Sequence, residues 1–437
     1  MNEMILFIKK IGKRYVGDSN YKKNVLTMVM GRVIAQGIPI LLTPLLTRIY
    51  SPEEFGVFAI YTIIVSLVAM VSNGRYSLSI ILPKDREKAK VLVLLSSLFT
   101  IIVSLFFLGL LLLFGEKLFA ILNVELLDRY IILLVLNVLF VGLYEAIYYF
   151  ALREKEYKIL SSNIIIQAIV LISVRLITGY LGYTNTGLLV SYLAGYSVAY
   201  VLLFKRLKFK IDYKAFKENA KDLIPKYSNF PKFSLFSDTL GALTNSLPSL
   251  FINRIFGSSS VGYLSLTEKV LGAPIWFITS SVGDVFKQEA SEQYRNGGSC
   301  KTIFVKTSKT LLTFGIIPFL LIFIFVPPLI PFVFGDAWEP AGNYIRILTV
   351  MYFSSFVVNP TAHMVYIVNK QQYAALFQGL KIMSIVTAFV FGFYYKNLNL
   401  ALILWSGLVT LSNILIFTIS YKFAKDSKYV EDDEDSI

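Results

Sequence analysis

The stretch "LLTRIYSPEEFGVF" (residues 45–58) has a counterpart in "FINRIFGSSSVGYL" (residues 251–264). In both, an Arg-Ile-aromatic triplet closes an apolar run, and a glycine follows the arginine eight positions later. Arg48 aligns with Arg254 and Gly56 with Gly262, a constant offset of 206 residues (254 − 48) in a chain of 437. Punctuation repeated at nearly half the chain length implies two related halves. The composition says what kind of halves they are.

Hydrophobic residues make up 56% of the chain and charged residues 16%, with a mean hydropathy of +0.65. Soluble domains carry about a quarter charged residues. The charge here is confined to islands: residues 91–115, 310–335, 347–369 and 397–421 contain no Asp, Glu, Lys or Arg. A bilayer crossing needs about 20 apolar residues, so each of these runs can span. They do not alternate in polarity every second residue, which excludes a transmembrane barrel and leaves helices. Apolar runs between polar islands predict about twelve spans, near 25–49, 56–82, 91–114, 127–150, 159–180, 186–204, 230–253, 260–286, 307–334, 345–369, 371–395 and 398–421. The apolar part of the N-terminal segment is too short for a cleaved signal peptide. One cysteine, Cys300, excludes a disulfide framework, and one histidine, His363, cannot make a metal site by itself.

Lys and Arg gather in cytoplasmic loops. Alternate islands of this chain hold 30 basic residues and the intervening ones hold 6, which predicts both termini on the cytoplasmic side. The net charge of +14 is then mainly a topology signal. Its dispersal over seven loops argues against a nucleic-acid footprint. The same counting puts Cys300 in a cytoplasmic island.

Six predicted spans precede residues 205–226 and six follow, so the offset lays segment one on segment seven in the same orientation, a parallel repeat. The expected organisation is a six-helix bundle over 1–204, a connector over 205–226, a second bundle over 227–424 and an acidic disordered tail over 425–437. The connector, "KRLKFKIDYKAFKENAKDLIPK", reads as a basic amphipathic helix lying on the cytoplasmic leaflet or as a solvated linker. The offset also lays Arg32 on Asp238, Thr43 on Ser249 and Thr47 on Asn253. Arg32, Gln36, Thr43 and Thr47 share one helical face, as do Asp238, Asn245, Ser249 and Asn253. Polar stripes of this kind face a bundle interior or water.

No phosphate-binding loop, nucleophile constellation or metal cluster is present in the sequence, so no enzyme, cofactor or metal is expected. External loops of roughly 10–15 residues leave little room for an external catalytic domain. Transport fits better. Arg32, Arg75, Lys269 and Lys381 fall within or at the edges of predicted spans, each costing at least about 2.5–3.5 kcal/mol at the bilayer centre unless paired or hydrated. They are expected to line a space between the halves and to bind an anion, with Asp238 and Glu145 as counter-charges or ion-coupling groups. A pairing of Arg32 with Asp238 is the structural alternative.

The run "LLTPLLTRIYSPEEFGVFAIYTIIVSLVAMVSNGRYSLSIILP" (residues 41–83) resembles the flippases of lipid-linked polysaccharide repeat units. These are the O-antigen and capsule exporters of the superfamily that also holds the multidrug and toxin extrusion (MATE) transporters and the lipid II flippases. The likeness is sharpest over residues 24–90, where Arg48, Tyr50, Ser51, Pro52, Phe55 and Gly56 form an R-x-Y-[ST]-P-x-x-[FY]-G pattern. The resemblance implies a V-shaped, alternating-access bundle in the inner membrane with a cationic cavity. It also implies a polyprenyl-diphosphate-linked oligosaccharide as cargo and coupling to H+ or Na+ rather than ATP. The partners it implies are membrane lipids, a polysaccharide polymerase and a chain-length regulator. A lipid II flippase and a MATE-type multidrug exporter are the competing readings.

Overall fold

The computed structural model describes residues 19–210 and 213–427, with side chains from Thr27 onward except at 215 and 273. The expected reading of residues 1–18 as uncleaved, and of most of the acidic tail (425–437) as disordered, lies outside the described residues; the first residues of that tail are ordered, Lys425 and Asp426 ending the last helix and Ser427 bonding the Cys300 N–H. Among the described residues there is no strand. The helices, in order, are α1 (Ser19–Ile49), α2 (Pro52–Ser72), α3 (Arg86–Leu122), α4 (Ile131–Arg153), α5 (Tyr157–Tyr180), α6 (Thr184–Arg206) and α7 (Tyr213–Lys226). After them come α8 (Leu235–Phe256), α9 (Ser258–Thr267), α10 (Ala273–Arg295), α11 (Lys301–Phe334), α12 (Glu339–Val358), α13 (Gln372–Tyr394) and α14 (Leu398–Asp426), with one-turn pieces between some of them.

Among the described residues nine helices are long and apolar enough to cross a membrane. The predicted segments that fall short are α8, the α9–α10 pair and α12. The first carries Asp238, Thr244, Asn245, Ser246, Ser249, Asn253 and Arg254 in 22 residues. The second is interrupted by a π-helical turn, Glu268–Gly272. Polar positions, rather than missing helices, separate nine from twelve. The protein is an all-α, multi-pass membrane protein.

Several boundaries differ from the sequence expectation. Segment two does not run to residue 82: α2 stops at Ser72, and a one-turn helix, Tyr76–Ser79, follows a break. Segment ten is cut after Val358, where Pro360 precedes a 3-10 turn, Thr361–His363. By contrast α1 runs unbroken through Gly37, Pro39 and Pro44.

The described residues form two compact units. One holds the chain through Leu42, Ile64–Leu113 and Tyr130–Leu240; the other holds Thr43–Ile63, Phe114–Arg129 and everything from Gly241. In the first, α5 packs on α6; in the second, α11 packs on α12 and α13 on α14. The connector helix α7 belongs to the first unit, and its apolar stripe goes into protein. Ala220, Leu223 and Tyr227 are buried in a cluster with Tyr76, Phe150, Leu203 and Phe209, and the Tyr76 hydroxyl donates to the Ile224 carbonyl at 3.1 Å. The apolar face of α7 is thus covered by protein. An i, i+3, i+7 apolar spacing reports a face to be covered and does not say by what.

The second unit contains both copies of the opening motif, and they fit into one another. A Cβ built on Gly56 would lie 1.7 Å from the Ser258 carbonyl oxygen, and one on Gly262 would lie 1.9 Å from that of Pro52. Pro52 and Ser258 are themselves 206 residues apart, so the contact is reciprocal. Each glycine on one helix admits the first residue of the other, an approach that small residues allow in membranes. The turn before each helix is built differently. Ahead of α2, Ser51 and Glu54 form a capping box: the Ser51 N–H donates to Glu54 Oε2 at 2.7 Å and the Glu54 N–H to Ser51 Oγ at 3.3 Å, with Pro52 at the first helical position. Ahead of α9, Gly257 turns at φ 88°, a left-handed conformation that suits glycine.

The arginines are reciprocal as well. Arg48 donates to the Phe332 carbonyl in the last turn of α11 at 2.9 Å, and Arg254 to the Ala120 carbonyl in the last turn of α3 at 3.4 Å. Both therefore satisfy carbonyls left over at a helix C-terminus. Trp338, fully buried, donates its indole N–H to the Thr47 carbonyl at 2.9 Å and meets Phe55 edge-on at 5.1 Å. Asn253 bonds the Leu122 carbonyl.

Candidate functional site

The break after α2 positions Arg75, which joins two carboxylates of the first unit. Gly74 and Arg75 both turn left-handed, at φ 56° and φ 57°, and the Arg75 N–H donates to Asn73 Oδ1 at 2.9 Å. A left-handed non-glycine residue costs about 1–2 kcal/mol. This conformation ends α2 and directs the guanidinium at two carboxylates. Arg75 Nη1 lies 3.3 Å from Glu145 on α4, and Nη2 lies 2.8 Å from Asp238 on α8.

The two carboxylates are held differently. Glu145 also accepts from Asn73 Nδ2 at 2.7 Å and Ser77 Oγ at 3.2 Å, so residues on both sides of the break converge on it. Asp238 has, among the described residues, only Arg75. The Asp238 side chain is 38% accessible, against 23% for Glu145 and 12% for Arg75. Arg75 Nε is buried without a hydrogen-bond acceptor among the described residues. Around Arg75 the carboxylates outnumber the cation two to one, so this group by itself is not the excess of positive charge expected from the sequence.

Arg32 stands apart from Asp238. Its Nη2 donates to the Tyr148 hydroxyl at 3.1 Å, and the residue is exposed. The sequence alternative that pairs Arg32 with Asp238 is thereby corrected: the carboxylate goes to Arg75, because the break in α2 turns Arg75 toward α8. The polar stripe of α1 divides. Arg32 and Gln36 are exposed, while Thr43 and Thr47 are buried in the second unit.

Lys269 and Lys381 belong to the second unit. Lys269 lies in the π-helical turn, and its Nζ sits 4.5 Å above the Phe55 ring, a cation–π contact worth about 0.5–2 kcal/mol. Lys381 is half-buried on α13 with no ion-pair partner among the described residues. The structure therefore brings Arg75, Glu145 and Asp238 together, while Arg32 on α1 meets the same helix α4 that carries Glu145, through Tyr148. Sequence reasoning passed over Asn73, Ser77 and Tyr148. The Asn73-Gly74 pair inside an apolar run was the available signal, since Asn-Gly marks a turn.

The family profile described as polysaccharide biosynthesis protein matches residues 45–343. The chain belongs to that family. The amylovoran biosynthesis protein AmsL of Erwinia amylovora is 22% identical over 116 residues, a match covering 26% of this chain and 30% of that protein; less than a third of the relative's length is thus spanned. Among solved structures, the lipid II flippase MurJ in an inward closed conformation aligns with a TM-score of 0.69 at 12% identity, covering 91% of this chain and 87% of that one. An inward-facing multidrug resistance MATE family transporter of the MOP superfamily aligns with a TM-score of 0.64 at 17% identity, covering 91% and 93%. A MOP superfamily transporter from Pyrococcus furiosus gives 0.60 at 14%, covering 92% and 95%. The chain has the fold of this transporter superfamily over nearly its whole length.

Proposed function

We propose that this protein is a flippase of the inner (plasma) membrane that moves a polyprenyl-diphosphate-linked oligosaccharide repeat unit from the cytoplasmic to the outer leaflet by alternating access, driven by an H+ or Na+ gradient, for O-antigen or capsule assembly. One observation carries the reading: a chain of a polysaccharide biosynthesis family folds over 91% of its length as a transporter. A polysaccharide pathway needs a membrane transporter where its lipid-linked intermediate must change sides. Both termini face the cytoplasm in this reading, the protein is not an enzyme, and polymerase and chain-length regulator act on what it delivers. Arg32, Arg75, Lys269 and Lys381 supply cations for the diphosphate, and guanidinium is suited to two-armed contacts with phosphate oxygens.

The test is deletion of the gene followed by extraction of lipid-linked sugars from inverted vesicles and intact cells. Repeat units accumulating on the cytoplasmic face, with surface polysaccharide lost, is the expected result. Accumulation of lipid II instead would assign the runner-up cargo. Unchanged lipid-linked pools together with sensitivity to cationic drugs would make the protein an exporter and end the proposal.

A further inference from the structure

Asp238 is the least secured member of the Arg75 group. Glu145 is held by three donors from both sides of the α2 break, whereas Asp238 contacts Arg75 alone among the described residues and is the most accessible of the three. It sits at the start of α8, just after a π-helical turn, Phe230–Ser234, that contains Pro231. Two residues beyond Asp238, at Leu240, the part of α8 in the first unit ends.

A second guanidinium, that of Arg32, contacts the same helix α4. Arg75 holds Glu145 and Arg32 holds Tyr148, and these positions are three apart on α4. Residues so spaced lie on one face with Cβ atoms about 5–6 Å apart. Arg75 and Arg32 thus converge on a single turn of α4, one occupied by a carboxylate that is only loosely held and the other exposed.

We infer that Asp238 is an internal occupant of an anion site on Arg75, and that a diphosphate group displaces it to bridge Arg75 and Arg32. The inference rests on the flippase reading for the source of the diphosphate, but its chemistry is carried by the geometry. A diphosphate offers two phosphate groups, one for each of the two guanidinium groups whose partners lie three positions apart on α4. Glu145 stays in place, because Asn73 and Ser77 hold it. Release of Asp238 removes the one ion pair by which the start of α8 is tied to Arg75, so an arriving anion reports its presence to α8. No charge needs to be created at the site: one negative group leaves as another enters.

The experiment uses the purified full chain in nanodiscs of zwitterionic lipid, titrated with inorganic pyrophosphate and with inorganic phosphate by calorimetry. Asp238→Asn keeps the side-chain shape and removes the competing charge; its affinity for pyrophosphate should rise about tenfold. Arg75→Gln and Arg32→Gln should each lose at least about tenfold, and phosphate should bind more weakly than pyrophosphate in the unaltered protein. Glu145→Gln should show no gain comparable to that of Asp238→Asn. If Arg75→Gln does not fold, Arg32→Gln carries the test, since that residue is exposed. Loss in the arginine variants with no gain in Asp238→Asn would overturn the displacement while leaving an anion site. Binding that ignores both arginines would overturn the site. Nanodiscs containing phosphatidylglycerol separate the sources: competition by that headgroup as strong as by pyrophosphate would make this a phospholipid site and sink the diphosphate assignment. Failure of the flippase reading shows separately, in the lipid-linked pools of the deletion strain.

Discussion

Substituting Gly56 by alanine should strain the reciprocal contact between α2 and α9 in a way that can be worked out. The new Cβ would lie 1.7 Å from the Ser258 carbonyl oxygen, where real Cβ contacts are essentially never under 3.0 Å. One side must therefore move by about 1.3 Å, the difference between these distances. The atom in the way is backbone at the first residue of a helix, so no side-chain rotation relieves it. Overpacking of this kind costs about 1–3 kcal/mol, and the absence of a flexible neighbour puts the cost toward the upper end. Alanine's better helix propensity returns up to about 1 kcal/mol, leaving a net loss on the order of 1–2 kcal/mol. Gly262→Ala, facing the Pro52 carbonyl at 1.9 Å, should lose a similar amount. Gly379→Ala and Gly407→Ala, with no neighbouring atom within 4 Å, should be neutral or slightly stabilising. The assay is thermal unfolding in detergent, read by size-exclusion chromatography of the heated protein. The double variant Gly56→Ala with Gly262→Ala decides the mechanism. If one separation of the two helices relieves both clashes, its loss falls short of the summed single losses. Gly56→Ala as stable as Gly379→Ala, or losses that add, would refute the reasoning.

Arg32→Ala should leave unfolding unchanged, since the residue is exposed, yet abolish surface polysaccharide at normal expression; Arg32→Lys should keep part of the export if charge alone suffices. Trp338→Phe removes the donor to the Thr47 carbonyl and should cost about 1–3 kcal/mol in the same unfolding assay, because that acceptor is left buried. Cys300 is fully buried, with Sγ 3.3 Å from the Ala290 carbonyl, and burial pushes its thiol pKa up; an impermeant maleimide should fail to label the folded protein from either side and succeed after denaturation. Topology is then read from Lys88→Cys and Lys396→Cys in a Cys300→Ser background, both positions being exposed, with labelling expected from the cytoplasmic and outer sides respectively.

How far the sequence speaks depends on what each residue has to satisfy. Uncharged runs such as 91–115 and 310–335 announce helices because a span must bury its own backbone polarity, and α3 and α11 lie there. Their ends were less legible: α3 extends from Arg86 to Leu122, since a helix does not stop where its apolar stretch does. The alternative that pairs Asp238 with Arg32 comes from the 206-residue alignment, and the structure pairs it with Arg75 instead. The alignment compares equivalent positions, while an ion pair joins whatever side chains the packing brings together. The left-handed turn at Gly74 and Arg75 decided that, and hydropathy is blind to it. Periodicity found the buried stripe of α7 and could not say that protein rather than lipid covers it. Charge counting puts Cys300 in a cytoplasmic island but is silent on burial, a property of the folded neighbourhood, here Phe286, Ala290 and Phe304.

The fit of Gly56 against Ser258 and of Gly262 against Pro52 bears on how such a chain can change over generations. Two repeated segments are free to drift wherever each needs only to suit itself. At this pair of crossings each copy is the mould of the other. A side chain gained in one half has to be answered by a retreat in the other, and a single nucleotide change cannot supply both. Inherited likeness should therefore persist longest where the halves meet at their backbones. That is where the arginine, the glycine and their spacing still repeat after 206 residues.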